Sequence, residues 1–232
     1  MAPGGGTPRR AGSAPAIQAP DLPALDAVTV TRAAASGGLD LLGALVEAAP
    51  DEAVATPRIR IRECELHGLS VEAPDASGLE LVDVVMRNCD LSNVDGREGH
   101  IRRVEIHGSR LVGFCLSAGR ARDLRVTGSS LKLATFASAG LQEVVFEDVN
   151  LSEASFMEAR LRSVEFIGCR LEGADFRGAR LSDCVIRGSS LDGVLGVDAL
   201  HGLRMPYGDI LASAGAMAAA LGIAIDAPDD AS

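Results

Sequence analysis

Large apolar residues recur in this chain at every fifth position. From Ile61 through Leu66, Val71 and onward to Leu191, 27 consecutive places keep that spacing without a slip. Only Ala76, Gly96 and Ala121 depart from a large apolar type. An α-helix buries residues about 3.6 apart and an ordinary strand about 2 apart, so neither holds a period of five over such a length. The place two before each centre is small or β-branched, as at Ala134, Ala139, Val144, Val149, Ala154 and Ala159. The other three places are mostly polar or glycine. Each five-residue unit therefore turns two side chains inward and three outward.

A second period lies over the first. NCDL at 88–91 recurs as GSRL at 108–111, GSSL at 128–131, DVNL at 148–151, GCRL at 168–171 and GSSL at 188–191. The interval is 20 residues, or four fives, so four units close one coil and equivalent residues stack on the next. Glycine, asparagine or aspartate opens each stretch, and those types tolerate the positive φ of a corner. With coils ~4.8 Å apart, the units make a rod of between six and seven coils, roughly 32 Å long.

At these residues the chain resembles the pentapeptide repeat family, whose pattern is A(D/N)LXX. LEGADFRGARL at 171–181 and LSEASFMEARL at 151–161 carry the likeness most clearly, and it covers about 135 of the 232 residues. The resemblance implies an all-β solenoid, a right-handed quadrilateral β-helix of about 6–7 coils, followed by a C-terminal α-helix. Its central inward column would hold Leu131, Phe136, Leu141, Phe146, Leu151, Phe156, Leu161, Phe166, Leu171, Phe176 and Leu181. That column explains a composition with six Phe and no Trp: five Phe lie in it and Phe114 lies in the other inward column. The earlier half is more degenerate, with Pro74 and Gly99 in the small inward column. The LxxLxL signature of a leucine-rich solenoid is absent.

Four segments follow from the pattern. Residues 1–24, rich in Ala, Pro and Gly, read as a disordered tail. Residues 25–58 read as an N-terminal cap over the first coil, with a strand-like AVTV and a short helix from Asp40 to Ala49. The repeat occupies 59–193. Residues 194–232 hold a cap or dimerisation helix from about Ile210 to Leu221 with Asp209 as its N-cap, presenting Ile210, Leu211, Met217 and Leu221.

Little in the sequence points to chemistry. Cys64, Cys89, Cys169 and Cys184 fall in the small inward column and act there as small apolar residues. The same-face pairs Cys89/Cys169 and Cys64/Cys184 are four and six coils apart, roughly 19 and 29 Å, beyond disulfide reach. Cys115 faces outward. His67 and His107 share a face, with Glu65 and Glu105 beside them, and read as a solvated charge ladder. There is no GxSxG, HExxH or Walker A motif. A solenoid filled by its own side chains leaves no internal pocket for a catalytic pair. The expectation is a protein that is not an enzyme and holds no cofactor or metal.

The start MAPGGGTPRR has no apolar run behind it, unlike a secretory signal. The apolar stretch Ile210 to Ile225 is short of the roughly 20 residues a membrane span needs. Five cysteines without a CxxC fit a cytoplasmic setting. A net charge of -10 and 3% aromatics argue against direct nucleic-acid binding, which needs basic surface and stacking platforms.

Sorted by face, the charges are uneven. The first face, centred on 61, 81, 101 and so on, carries nine arginines against six carboxylates, while the other three are net acidic. Arg60, Arg62, Arg102, Arg120, Arg122, Arg160, Arg162 and Arg180 form a candidate interaction face for an acidic partner. Cys115, Ala118, Thr135, Ala137 and Met157 form a weakly charged strip on the fourth face, a candidate contact patch. The functional expectation is a rigid protein-interaction scaffold, with the helix near 210–221 as a homodimer contact. The family resemblance adds an alternative, a binder of DNA gyrase or another topoisomerase that imitates duplex DNA and gives quinolone-type protection. A duplex of that length presents about 19 charges, at one per ~1.7 Å. The repeat carries -4 over all four faces.

Overall fold

The structure is a computed structural model and describes residues 15–28, 38–48 and 53–224. Its strands are β1 (Asp26–Val28), β2 (Leu39–Leu42), β3 (Ala44–Glu47), β4 (Ala53–Ala55), β5 (Ile59–His67), β6 (Ser70–Glu72) and β7 (Glu80–Arg87). They continue as β8 (His100–His107), β9 (Arg120–Thr127), β10 (Gly140–Glu147), β11 (Arg160–Ile167), β12 (Arg180–Ser182) and β13 (Val185–Arg187). All pairings are parallel. From β5 to the last full coil the pairing interval is twenty residues, as in Arg60↔Glu80, Glu80↔His100, His100↔Arg120 and Arg120↔Gly140, and at the end Val185 bridges Arg204, nineteen on. The result is a β-solenoid of about 7 turns with one C-terminal helix, as the periodicity predicts.

Each coil has four sides because the backbone turns at every fifth residue. Glu63, Asp83, Arg103, Asp123, Glu143, Ser163 and Asp183 all have φ between 51° and 56° and stack as the corner between sides one and two. Asn88, Gly108, Gly128, Asp148, Gly168 and Gly188 make the next corner in the same way. Sides one and two run as one long strand bent at its corner. Sides three and four pair through single bridges, such as Cys115↔Thr135↔Ser155↔Asp175.

The two inward columns are buried as the sequence pattern requires. Phe136, Phe146, Phe156, Phe166 and Phe176 are fully enclosed. Rings on the same side stack, Phe136 on Phe156 at 5.2 Å and Phe156 on Phe176 at 4.9 Å. Rings on neighbouring sides meet edge to face, Phe156 with Phe166 at 5.7 Å. Both geometries suit the ring quadrupole, each worth about 0.5–1.5 kcal/mol beyond the area buried. Leu181 is only partly buried, because few coils lie beyond it.

The degenerate half keeps the coil by exchanging volume. Leu79 takes a place that later coils give to Ala139, Ala159 and Ala179. Gly96 and Gly99 make room for it: a Cβ on Gly96 would meet Leu79 Cδ2 at 2.9 Å, and one on Gly99 would meet Leu79 Cβ at 3.1 Å. Pro74 is not inward as expected. It is exposed, and Ala73 turns into the core in its place.

The coil geometry reaches back to Leu39, into the segment read as a cap. The expected helix from Asp40 is instead β2 and β3, with Gly43 at φ 62° as their corner. Ala49 lies outside the described residues. Leu39, Ala44 and Val46 point inward. These strands keep the twenty-residue register, Leu39↔Ile59 and Leu45↔Glu65, but Ala53 pairs with Ser70, seventeen residues on. This first coil therefore cuts off its fourth side. Buried Thr56 seals the shortcut: its Oγ1 accepts the Leu39 N–H at 3.0 Å and donates to the Arg58 carbonyl at 2.8 Å. Of AVTV, Ala27 and Val28 belong to β1, and Thr29 and Val30 lie outside the described residues.

At the far end a short 3-10 helix, Val197–Leu200, folds over the stack. Leu200 is buried, and Val197, Ala199, Leu203 and Met205 pack against the core. The helix α1 (Tyr207–Ala220) follows. It starts earlier than expected, after Pro206, whose fixed φ suits a helix entry. Asp209 is thus inside the first turn and not an N-cap. Its Oδ2 instead accepts the Gly188 N–H at 2.6 Å.

Candidate interaction surfaces

The register places the first-face arginines in two outward columns. One runs Arg60, Glu80, His100, Arg120, Gly140, Arg160, Arg180, and the other Arg62, Val82, Arg102, Arg122, Gln142, Arg162, Ser182. Arg60 lies 3.9 Å from Glu80, Arg62 3.7 Å from Asp40 and Arg122 3.4 Å from Asp123. Arg102, Arg120, Arg160, Arg162 and Arg180 are exposed and have no carboxylate partner among the described residues.

Arg103, the ninth arginine of the first face, stands apart from these columns. It sits at the corner and clasps buried Asp83 through Nε and Nη2. The Arg103 guanidinium holds the Asp83 carboxyl below the usual carboxylate range. The alternation Asp83, Arg103, Asp123 at intervals of twenty was the available signal.

The same corner carries a feature that sequence reasoning missed. Residues 18–21 run along it. Asp21 N–H donates to Asp83 Oδ1 at 2.9 Å, and Gln18 N–H donates to Asp123 Oδ1 at 3.2 Å. Three residues of extended chain span roughly 10 Å, which matches two coils. The segment read as one tail is thus described in part as a strap. Residues 1–14 lie outside the described residues.

The weakly charged strip lies along the fourth face. Cys115, Thr135 and Ser155 stack in one column, with Ala137 and Met157 beside them and Ala118 at the adjoining corner. Ion pairs bracket it, Asp95 with Arg97 on one side and Asp175 with Arg177, at 2.7 Å, on the other. In each pair the arginine's hydrogen bond pulls the aspartate carboxyl below its ordinary range.

His67 Nε2 is 2.9 Å from Glu65 Oε1, and Arg87 Nε reaches the same oxygen at 3.3 Å. His107 Nε2 is 3.2 Å from Glu105 Oε2, and its Nδ1 is 2.8 Å from Thr127 Oγ1. The hydrogen bond from His67 holds the Glu65 carboxyl below its usual range. These contacts bind ladder rungs together along the surface. All five cysteines are free, and Cys64, Cys89, Cys169 and Cys184 are buried. No group of three or more His, Cys, Asp or Glu among the described residues could hold a metal ion.

On α1, Met217 packs against the core, while Ile210, Leu211 and Leu221 are 44%, 59% and 57% exposed. No helix among the described residues is long and apolar enough to cross a membrane.

Residues 125–195 match a family model described as a pentapeptide repeat region. A comparison with curated proteins finds no match. Among solved structures, the chain is similar to full-length QnrB1, a plasmid-mediated fluoroquinolone resistance protein. That likeness has 18% identity and a TM-score of 0.47, over 85% of this chain and 100% of the other. A trypsin-treated variant of QnrB1 aligns at 22% identity and a TM-score of 0.44, over 88% and 98%. HetL from the cyanobacterium Nostoc, a pentapeptide repeat protein involved in heterocyst differentiation regulation, aligns at 21% and 0.34, over 78% and 88%. Residues 125–195 are thus a pentapeptide repeat region, part of a four-sided β-helix whose left-handed corners recur at five-residue intervals.

Proposed function

We propose that this protein is a non-catalytic scaffold that docks an acidic protein surface on its arginine-rich first side. One observation carries the reading: Arg120, Arg160, Arg162 and Arg180 stand exposed in straight columns with no ion-paired carboxylate among the described residues, and Arg102, near Asp83, stands exposed with them. On other sides several arginines are paired along the surface, as Arg87 is with Glu65 and Arg125 with Glu147. Arginines held in register by a parallel sheet need no backbone rearrangement to bind, and their forks suit carboxylates. A second contact, between two copies of this chain, is assigned to α1 through Ile210, Leu211 and Leu221. The bracketed strip at Cys115, Thr135, Ala137 and Met157 is a further contact patch on the adjoining fourth side of the coil.

Capture from the native cell extract tests the main reading. The full chain is compared with an Arg102→Glu/Arg180→Glu form of the same fold by circular dichroism. The expected result is one or more acidic proteins retained by the natural chain, released by salt and lost with the double substitution. Equal capture by both forms overturns the arginine side as the contact.

The alternative is a topoisomerase binder that imitates DNA. Such a mimic needs a dense acidic side, and the longest charged columns here are arginine-rich. A gyrase supercoiling assay, with and without a quinolone, separates the two: no effect at high protein concentration removes the alternative.

A further inference from the structure

We propose that the rod carries a notch at Gly140 that binds a phosphoryl group. Gly140 opens β10, and the same column holds Arg60, Glu80, His100, Arg120, Arg160 and Arg180 in the other coils. The backbone does not demand glycine here. Gly140 is outside the left-handed region, and an added Cβ would meet only Arg120 Cγ, at 3.9 Å. A strand glycine with no conformational reason leaves room for a close approach from outside.

That room is bordered by arginine side chains. Arg120 and Arg160 stand one coil to either side of Gly140, and Arg122 and Arg162 flank Gln142 in the next column. The flanking backbones are about 9.6 Å apart, two coil spacings. Together these residues bound a groove of about 390 Å³. Arg120, Arg160 and Arg162 have no carboxylate partner among the described residues. Arg122 shares Asp123, whose other oxygen accepts the Gln18 N–H. Three arginines without an ion pair among the described residues, Arg120, Arg160 and Arg162, thus border a space one side chain wide. Subtracting the van der Waals thickness of the arginine stems leaves a gap of about 5–6 Å, the width of a tetrahedral oxyanion. Guanidinium forks bind phosphoryl oxygens in bidentate fashion, and a dianion answers a cluster of cations better than a single carboxylate does.

This inference does not rest on the scaffold reading, whose test alters Arg102 and Arg180 outside the notch. Inorganic phosphate and a nucleotide offer the same chemistry, so both are probes. The full chain is titrated calorimetrically with phosphate, pyrophosphate and ADP at low chloride. Saturable binding at one site is expected. Gly140→Leu, which fills the notch without touching the backbone, should weaken it at least tenfold, as should Arg160→Gln. Gly140→Ala and Arg180→Gln should change it less than threefold. ADP tighter than pyrophosphate assigns the natural ligand to the phosphate esters, and equal affinity assigns it to the free anion. No saturable binding overturns the proposal. So does an equal loss with Arg180→Gln, which would reduce the effect to general charge.

Discussion

Cys64, Cys89, Cys169 and Cys184 point into the coil, and burial pushes each thiol up, that of Cys169 to about 11. Their sulfurs lie against backbone carbonyls, as Cys184 Sγ does at 3.4 Å from the Leu161 carbonyl. Cys115 alone is half-buried on the outside. A thiol reagent at neutral pH should therefore label one cysteine quickly and the other four only after unfolding. Two or more fast thiols by mass spectrometry would contradict the inward placement. This assignment was legible from the chain alone, because a five-residue period states for every residue whether it points in or out. What the period does not state is how a coil absorbs an exception. Pro74 and Ala73 differ by one place, and the choice between them is made by the corner. Leu79 fits only because Gly96 and Gly99 lack side chains, one on its own coil and one on the next. That is a volume match across the core, and no single pentapeptide shows it.

Strands and corners were readable where the repeat is strict, and misread where it shortens. LDLLGALVE supports a helix by composition, yet Gly43 breaks it into two sides, since the coil above offers β2 and β3 an open edge at β5. Tertiary pairing overrides local propensity there. The strap at residues 18–21 was hidden for a related reason: its partners Asp83 and Asp123 lie 62 and 105 residues away. Asp83 gives it a measurable anchor. Removing that carboxylate by Asp83→Ala leaves Arg103 without its counter-charge and the Asp21 N–H without its acceptor, at a cost of about 1–3 kcal/mol. The Asp21 amide should lose protection from hydrogen exchange, while that of Gln18, bonded to Asp123, keeps more of its own. The pH sign follows from the depressed carboxyl of Asp83. Its contribution is complete above the ordinary aspartate pKa, ~3.9, and is lost as pH falls through the lower folded value. Exchange at Asp21 should therefore stay slow at pH 5 and accelerate only in stronger acid. Release of the strap near neutral pH would exclude Asp83 as its anchor.

A solenoid has two ends, and what closes them decides whether the rod stands alone or pairs. The start is closed by the shortened coil at Thr56. The finish is closed by Val197–Met205: Leu200 is buried over the last coil, and Arg204 bridges Val185. α1 comes after that closure. It buries only Ser213 fully, lays Met217 against the core and holds Gly188 through Asp209, while Ile210, Leu211 and Leu221 stay exposed. A helix whose removal uncovers little core is poorly placed as the main cap and well placed as a contact. Deleting residues 206–232 should leave the β-type circular dichroism intact and lower the melting temperature by only a few degrees, the effect of about 1 kcal/mol in a domain of this size. The mass in solution, by light scattering, should fall from that of a pair to that of a single chain. Loss of the β-signal would instead make α1 the cap. An unchanged mass would place any self-association elsewhere on the rod, with the strip between Asp95–Arg97 and Asp175–Arg177 the next surface to alter.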